Sequence, residues 1–277
     1  MTTTWLITGC STGLGRALAL AVLARGDNVV VTARDVAKVA DIADPYPDSA
    51  LPLALDVTDS DSVNTAVAAA QARFGAIDVL VNNAGYGYRS AVEEGDDGQV
   101  RDLFDTHVFG IVTTIKAVLP GMRARRSGTI VNLSSIGARA CPEGSGYYAA
   151  AKAAVEALTL SLRKELAPLG IVATVVAPGG FRTDFAGRSL TQSPNPIADY
   201  AETAGKRRKE NDTAHGTQPG DPEKAAAALI EVVESGTAPY LLLLGSDCVD
   251  GFRASQKLLH DEVDRFETVS RSTDFDS

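Results

Sequence analysis

Cysteine is scarce in this chain. The three present among 277 residues, Cys10, Cys141 and Cys248, are odd in number and far apart, so they build neither a disulfide framework nor the paired spacing of a thiolate metal site. A reducing, cytoplasmic home is the expectation. Long apolar runs are missing as well. The most apolar helical stretch, 17–24, is closed off by Arg16 and Arg25, so neither a leader peptide nor a membrane-spanning segment is expected. Basic residues are outnumbered, 26 Lys and Arg against 35 Asp and Glu, for a formal net charge of -9. Such a chain repels phosphate backbones and anionic lipid, which argues against nucleic acid or membrane as its main partner. There is no internal repeat and no low-complexity tract.

What is present is organised from the N-terminus. A short apolar run, Thr4-Trp5-Leu6-Ile7, leads into Thr8-Gly9-Cys10-Ser11-Thr12-Gly13-Leu14-Gly15 and then a helical stretch, 16–25. That order reads as strand, tight turn, helix. Glycines let the backbone approach a ligand closely, and a helix starting at Gly13 aims unpaired N–H groups and its positive dipole end outward, a seat for phosphate. The spacing Gly-x-x-x-Gly-x-Gly is neither Gly-x-Gly-x-x-Gly nor a P-loop, since no Gly-Lys-Ser/Thr follows. A corner that merely needs positive φ remains the alternative at this point.

Beyond the turn the chain alternates. Strands are predicted at 28–32, 51–55, 77–81, 129–133, 171–177 and 240–244, with helical stretches at 36–42, 59–74, 100–122, 147–166 and 222–234 between them. After Asp59 or Ser60, either of which can cap, apolar residues recur at Val63, Ala66, Val67, Ala70 and Phe74 with helical spacing. Helical crossovers join parallel strands right-handedly. The expected fold is therefore α/β, a doubly wound Rossmann-type parallel sheet of seven strands flanked by helices, in one domain over 1–277. The polar segment 184–221, with Pro194, Pro196 and Pro219, breaks the rhythm and reads as a substrate lid. Its basic run Lys206-Arg207-Arg208-Lys209 reads as a solvated face, with a phosphorylated substrate as the alternative partner. A C-terminal helical extension, 249–277, carries Phe252, Leu259, Val263 and Phe266 on one apolar side.

In such sheets ligands gather at the carboxyl ends of the strands. Those ends offer the glycine turn, Arg34, Asp56, Asn82-Asn83-Ala84-Gly85, Ser134-Ser135, and the stretch from Pro178 to Thr183. On the helix after Ser135, Tyr148 and Lys152 stand four apart, on one face. An ammonium beside a phenol favours the phenolate and makes tyrosine usable as an acid or base. Tyr147 has Ala151 four residues on, so Tyr148 is the better candidate.

Taken together, Thr8-Gly9-x-x-x-Gly13-x-Gly15, Asp56, Asn82-Asn83-Ala84-Gly85, Ser135 thirteen residues before Tyr148, Tyr148-x-x-x-Lys152 and Pro178-Gly179 with Thr183 resemble the short-chain dehydrogenase/reductase family across nearly the full chain. The resemblance implies that Tyr148 gives a proton to a substrate carbonyl or takes one from an alcohol. It implies that Lys152 lowers the phenol's pKa and holds the nicotinamide ribose, while Ser135 binds the substrate oxygen. Gly9, Ser11, Thr12, Gly13, Leu14 and Gly15 would seat the pyrophosphate. Asp56 would meet the adenine, Val57 would also bind the cofactor, and Asn83, Ala84 and Gly85 would wall the adenosine side. Pro178, Gly179 and Phe181 would also contact the cofactor, with Thr183 on the carboxamide. Where an acidic residue would accept from a ribose 2′-OH, this chain has Ala33 and then Arg34, a phosphate-binding residue, so NADP(H) is preferred with Ser11 and Thr12 as helpers. Asp35 is the rival partner of Arg34, and NAD(H) stays as second choice.

The family's usual Asn-x-x-Gly is replaced by His107-Val108-Phe109-Gly110. His107 is thus open to three roles: keeping the proton relay through a ring nitrogen, titrating itself, or filling space. The last motivates an alternative function, an NADP(H)-binding sensor or scaffold with impaired chemistry. An epimerase or dehydratase fits less well, because those relatives space their glycines differently. Substrate-facing candidates are 86–89, Cys141-Pro142-Glu143 and 185–190, whose small and apolar groups suggest a medium-sized, fairly apolar ketone or alcohol. The resemblance also implies a homodimer or homotetramer through helices near 101–125 and 147–166.

Overall fold

Short, β-branched and leucine-rich runs form the buried strands, and polar caps start the helices between them. The computed structural model describes residues 2–187, 189–214 and 216–275; Arg188 and His215 of the expected lid, and Asp276 and Ser277 of the expected C-terminal extension, lie outside them. In chain order the elements are β1 (Thr4–Ile7), α1 (Gly13–Ala24), β2 (Asn28–Ala33), α2 (Ala40–Ala43), β3 (Ala50–Ala54), α3 (Ser60–Phe74) and β4 (Val79–Asn82). There follow β5 (Gly87–Arg89), α4 (Asp97–Phe104), α5 (Gly110–Arg125), β6 (Gly128–Leu133), α6 (Gly137–Ala140) and α7 (Gly146–Leu166). Last come β7 (Ile171–Pro178), β8 (Leu190–Gln192), α8 (Lys206–Ala214), α9 (Pro222–Glu234), β9 (Leu241–Leu244) and α10 (Ser246–Arg271).

Seven strands pair in parallel in the order β3-β2-β1-β4-β6-β7-β9, the doubly wound sheet the alternation calls for. Strand pleating sends alternate residues to opposite faces. Trp5, Ile7, Val29, Val31, Val79 and Val81 enter one core beneath α1 and α9, while Leu6, Val30 and Leu80 enter the other, beneath α3, α5 and α7. Both layers bury near-continuous apolar strands, and each fully buried Leu or Ile contributes about 1.5–3 kcal/mol.

The helix starts are set by side chains. Asp59 rather than Ser60 caps α3, accepting from Asp61 N and Ser62 N. Asp221 caps α9, with Pro222 at the first helical position. Four differences from the sequence expectation stand out. The stretch 36–42 is a 3₁₀ turn, Val36–Val39, followed by the single turn of α2. The expected helix 100–122 is α4 and α5 joined by a π-helical turn, Asp105–Phe109. The lid is not a bare loop: its β8 pairs with β5 in a second, two-stranded parallel sheet, and α8 follows. In α10 only the first turns pack. From Lys257 onward every described residue is exposed, Leu259, Val263 and Phe266 included, while Phe252 is half-buried with the Arg139 guanidinium 6.0 Å from its ring centroid.

The helical run 97–125 reaches the length and mean hydropathy, 1.2, of a membrane span. Its apolar residues Leu103, Ile111, Ile115, Val118 and Met122 are buried within the fold, so its hydropathy reflects a core helix.

Candidate active site

The strand ends singled out from the sequence converge. β1, β2, β3, β4, β6 and β7 finish on one edge of the sheet, and strand order reverses between β1 and β4, where a crevice opens. It is a cleft of about 1060 Å³. Its walls include Gly9, Ser11, Thr12, Gly13, Leu14, Arg34, Asp56, Val57, Asn83, Ala84, Gly85, His107, Ser135, Tyr148, Lys152, Pro178, Gly179, Phe181 and Thr183. Gly15 does not line it. That residue is buried behind the turn, where a Cβ would overlap the Asn83 amide, so its role is packing rather than contact.

The turn is shaped by two left-handed glycines, Gly9 at φ +73° and Gly13 at φ +64°. A Cβ on Gly9 would stand 2.8 Å from Ala84 Cα. Thr12 enters α1 in extended conformation and its side chain caps nothing, so no side chain occupies the first N–H groups of this twelve-residue helix. The open, positive-ended cradle fits the diphosphate of a dinucleotide. Asn83 also braces the turn: its Nδ2 donates to Thr8 O and Gly9 O, both at 2.9 Å. Asn83 N and Ala84 N both donate to Thr8 Oγ1 at 3.0 Å. The Asn83 amide thus holds the turn, while Asn83, Ala84 and Gly85 together line the wall. Asp56 Oδ1 accepts from Thr58 N at 2.9 Å and from Thr58 Oγ1 at 2.7 Å, which fixes that carboxylate beside the cleft. Arg34 is exposed at the end of β2. Its rival Asp35 caps the following 3₁₀ turn, accepting from Ala37 N at 3.1 Å, and among the described residues Arg34 makes no ion pair.

At the other end of the cleft, Tyr148 and Lys152 lie one turn apart on α7, both buried. Tyr148 hydrogen-bonds the Ser135 side chain. Ser135 Oγ accepts from Gly137 N at 3.0 Å, which fixes the hydroxyl beside the phenol. Lys152 Nζ donates to Leu133 O at 2.7 Å, and burial brings its ammonium down to about 7. The phenol itself is raised above its ordinary value by burial, against which the Ser135 hydrogen bond and then the Arg89 cation act. The sequence expectation assigned that lowering to Lys152. In the structure the lysine is tied to a carbonyl, 5.8 Å from the ring centroid, and the opposing groups are Ser135 and Arg89.

His107 sits in the π-helical turn, edge-on to Tyr148 with ring centroids 5.6 Å apart. Its Nε2 lies 2.7 Å from Tyr86 O and 3.1 Å from Tyr86 N. Burial first, and then the Lys152 charge, hold its pKa well below the usual value, so the ring is neutral and a titrating role near pH 7 is removed from the three. Its Nδ1 has no partner among the described residues.

Several residues around the site, Asn82 apart, carried no sequence signal. Asn82 Nδ2 donates to Asn132 Oδ1, Thr114 Oγ1 donates to Asn82 Oδ1, and Asn132 Nδ2 donates to Thr159 Oγ1, a buried chain behind the cleft linking β4, α5, β6 and α7. Glu94, fully shielded, receives both terminal nitrogens of Arg208, at 2.8 and 3.0 Å, and so binds α8 of the lid to the loop after β5. The partners of that pair are 114 residues apart, beyond any local pattern.

Residues 3–193 match the family described as short chain dehydrogenase. The chain belongs to the short-chain dehydrogenase/reductase family. As a member it is an oxidoreductase. It is 39% identical over 251 residues to an oxidoreductase of Botryotinia fuckeliana, covering 90% of this chain and 91% of that one. A short-chain dehydrogenase from Streptomyces avermitilis, 42% identical, superposes with a TM-score of 0.92 over 99% of both chains. A 3-ketoacyl-(acyl-carrier-protein) reductase from Brucella melitensis, complexed with NADH, is 25% identical with a TM-score of 0.75 over 89% of this chain and 97% of that one.

Proposed function

We propose that this chain is an NADP(H)-dependent oxidoreductase that interconverts a ketone or aldehyde with the corresponding alcohol, using Ser135, Tyr148 and Lys152. The observation that carries the reading is the buried Tyr148, hydrogen-bonded to Ser135 and one turn before Lys152, in the same cleft as an uncapped helix start and a glycine cradle. The bound dihydronicotinamide would supply the hydride. In reduction, Tyr148 Oη gives its proton to the carbonyl oxygen as charge builds there, and Ser135 Oγ donates to that same oxygen. Lys152 Nζ, poised near neutrality, exchanges protons at physiological pH and would hold ribose hydroxyls beside Leu133 O. Arg34, exposed and without an ion pair among the described residues, supports the 2′-phosphorylated cofactor through a guanidinium–phosphate contact. The neutral His107 gripping Tyr86 keeps the cleft wall in place, which favours a working site over a binding-only sensor.

The lid over 184–221 and the extension over 249–277 belong, on this reading, to one catalytic domain. Three cysteines without disulfides fit a cytoplasmic setting, and the net charge of -9 fits a small-molecule partner rather than nucleic acid or membrane. A homodimer or homotetramer would cover Phe109 and Leu158, large apolar residues left exposed beside α5 and on α7. The test is cofactor oxidation at 340 nm with a panel of ketones and aldehydes, run with NADPH and with NADH. Turnover faster with NADPH and at least 1000-fold lower in Tyr148→Phe, with NADPH binding retained, is the expected result. Equal turnover by Tyr148→Phe would overturn the assignment of the proton donor, and a preference for NADH that of the cofactor.

A further inference from the structure

Beside the phenol, on the lid side of the cleft, lies a set of buried polar atoms that nothing among the described residues satisfies. Arg89 closes β5 and is 8% exposed. Its guanidinium carbon stands 6.0 Å from the Tyr148 ring centroid, and one terminal nitrogen donates a long 3.4 Å hydrogen bond to Tyr88 O. Its Nε has no partner, and no carboxylate pairs with it among the described residues. The charged neighbour that acts on it is another cation, Arg207 of α8, which also lines the cleft. Ser145, three residues before Tyr148, is 2% exposed, lines the cleft, and likewise leaves its hydroxyl oxygen unpaired. Its bridge partner Ser90, next to Arg89, does the same.

Buried arginines are ordinarily paired, because an isolated charge removed from water is strongly disfavoured. A guanidinium fork with a free edge, held against the reacting tyrosine and accompanied by an unpaired hydroxyl, has the chemistry of a receptor for a planar anion. We infer that Arg89, with Ser145, anchors a carboxylate on the substrate, so that the carbonyl compound reduced here is an oxo acid and the alcohol formed a hydroxy acid. The inference rests on the reading of Tyr148 as proton donor. It also replaces the fairly apolar substrate suggested by the sequence: a charged group beside the ring would fix which face of the carbonyl meets Tyr148 and Ser135. The neutral wall formed by Phe185, whose ring centroid is 6.0 Å from that of Tyr148, is left for the rest of the molecule.

The experiment compares 2-oxopentanoate, 3-oxobutanoate and 4-oxopentanoate, each beside its methyl ester, in the wild type, Arg89→Met, Arg89→Lys and Ser145→Ala. For at least one pair the wild type should favour the acid over the ester at least tenfold in kcat/KM. In Arg89→Met that ratio should collapse to one or below, chiefly through KM, with Arg89→Lys between the two and Ser145→Ala lowering it severalfold. Taking the ratio within each variant removes any general effect of Arg89 on Tyr148. Calorimetry with 4-hydroxypentanoate and the NADP⁺-loaded protein gives a second readout, at least tenfold weaker in Arg89→Met while NADP⁺ binding is kept. Esters preferred by the wild type, or an unchanged ratio in a folded Arg89→Met, would overturn the inference while leaving the oxidoreductase reading standing. Absence of turnover for acids and esters alike would count against that reading instead, and calorimetric binding of the hydroxy acid would then decide on Arg89 alone.

Discussion

Lys152 shows how a single buried group writes itself into the behaviour of the whole protein. Burial brings its ammonium from an ordinary 10.5 down to about 7, whereas in the unfolded chain it titrates normally. Between pH 7 and about 9 the unfolded state therefore holds more protons than the native one, and by linkage stability rises with pH across that window. Above it, Cys10 and Cys248, pushed up by burial to about 12 and about 11, act in the opposite sense. Lys152→Met should flatten the rise of Tm between pH 7 and 9 in the cofactor-free protein; an undiminished slope would mean that another group carries it. The pairing of Tyr148 with Lys152 was legible because four residues make one helical turn. What the turn did not disclose is where each side chain ends up: the lysine on a backbone carbonyl, the phenol under Ser135 and Arg89, the Asn83 amide turned back into the glycine loop. Those depend on burial and on partners brought in from other strands, neither of which local spacing encodes.

Elements of regular length were readable and short ones were not. The strands of the main sheet announce themselves as apolar runs between helical stretches, but β5 and β8, of three residues each, are too short to display a period and exist because they pair with one another. The lid's attachment is equally non-local. Glu94 accepts from Arg208, Ala91 N and Ile197 N, and the Arg208 guanidinium above all holds its carboxyl down at about 2. A depressed carboxyl contributes stability that is complete above its unfolded value of 4.5 and is lost as pH falls from there toward 2, so acid should release α8 from the loop after β5. Removing one member of a buried ion pair costs about 3–5 kcal/mol, here levied on the docking of α8 rather than on the sheet. Glu94→Gln should hence speed tryptic cleavage at 206–209 at least tenfold at pH 8, with the main sheet's circular dichroism unaltered. A cleavage rate equal to that of the wild type would show that the pair does not hold the lid.

At the scale of the whole molecule, two groups stand out among the exposed apolar residues. Phe109 and Leu158, 60% and 44% exposed, lie on adjoining segments of the body, whereas Leu258, Leu259, Val263, Phe266 and Val269 lie along the free length of α10. If the first group is the contact between copies, light scattering should give a multiple of 28.9 kDa, and Leu158→Asp should reduce it to that of one chain. A wild type that already weighs 28.9 kDa would dismiss the contact. The doubly wound plan itself was legible from rhythm alone, since helical crossovers leave few other ways to order seven strands. A kinetic consequence follows from the clamp at Asn83, whose hydrogen bonds join β4 to a turn 74 and 75 residues earlier. The phosphate cradle is thus closed only after the intervening β2 and β3 have been looped out and β4 has found β1, the slow, long-range part of assembling a parallel sheet. A nascent chain can build α1 early and still own no cofactor seat, so the gain of nucleotide affinity during refolding marks the completion of the central sheet.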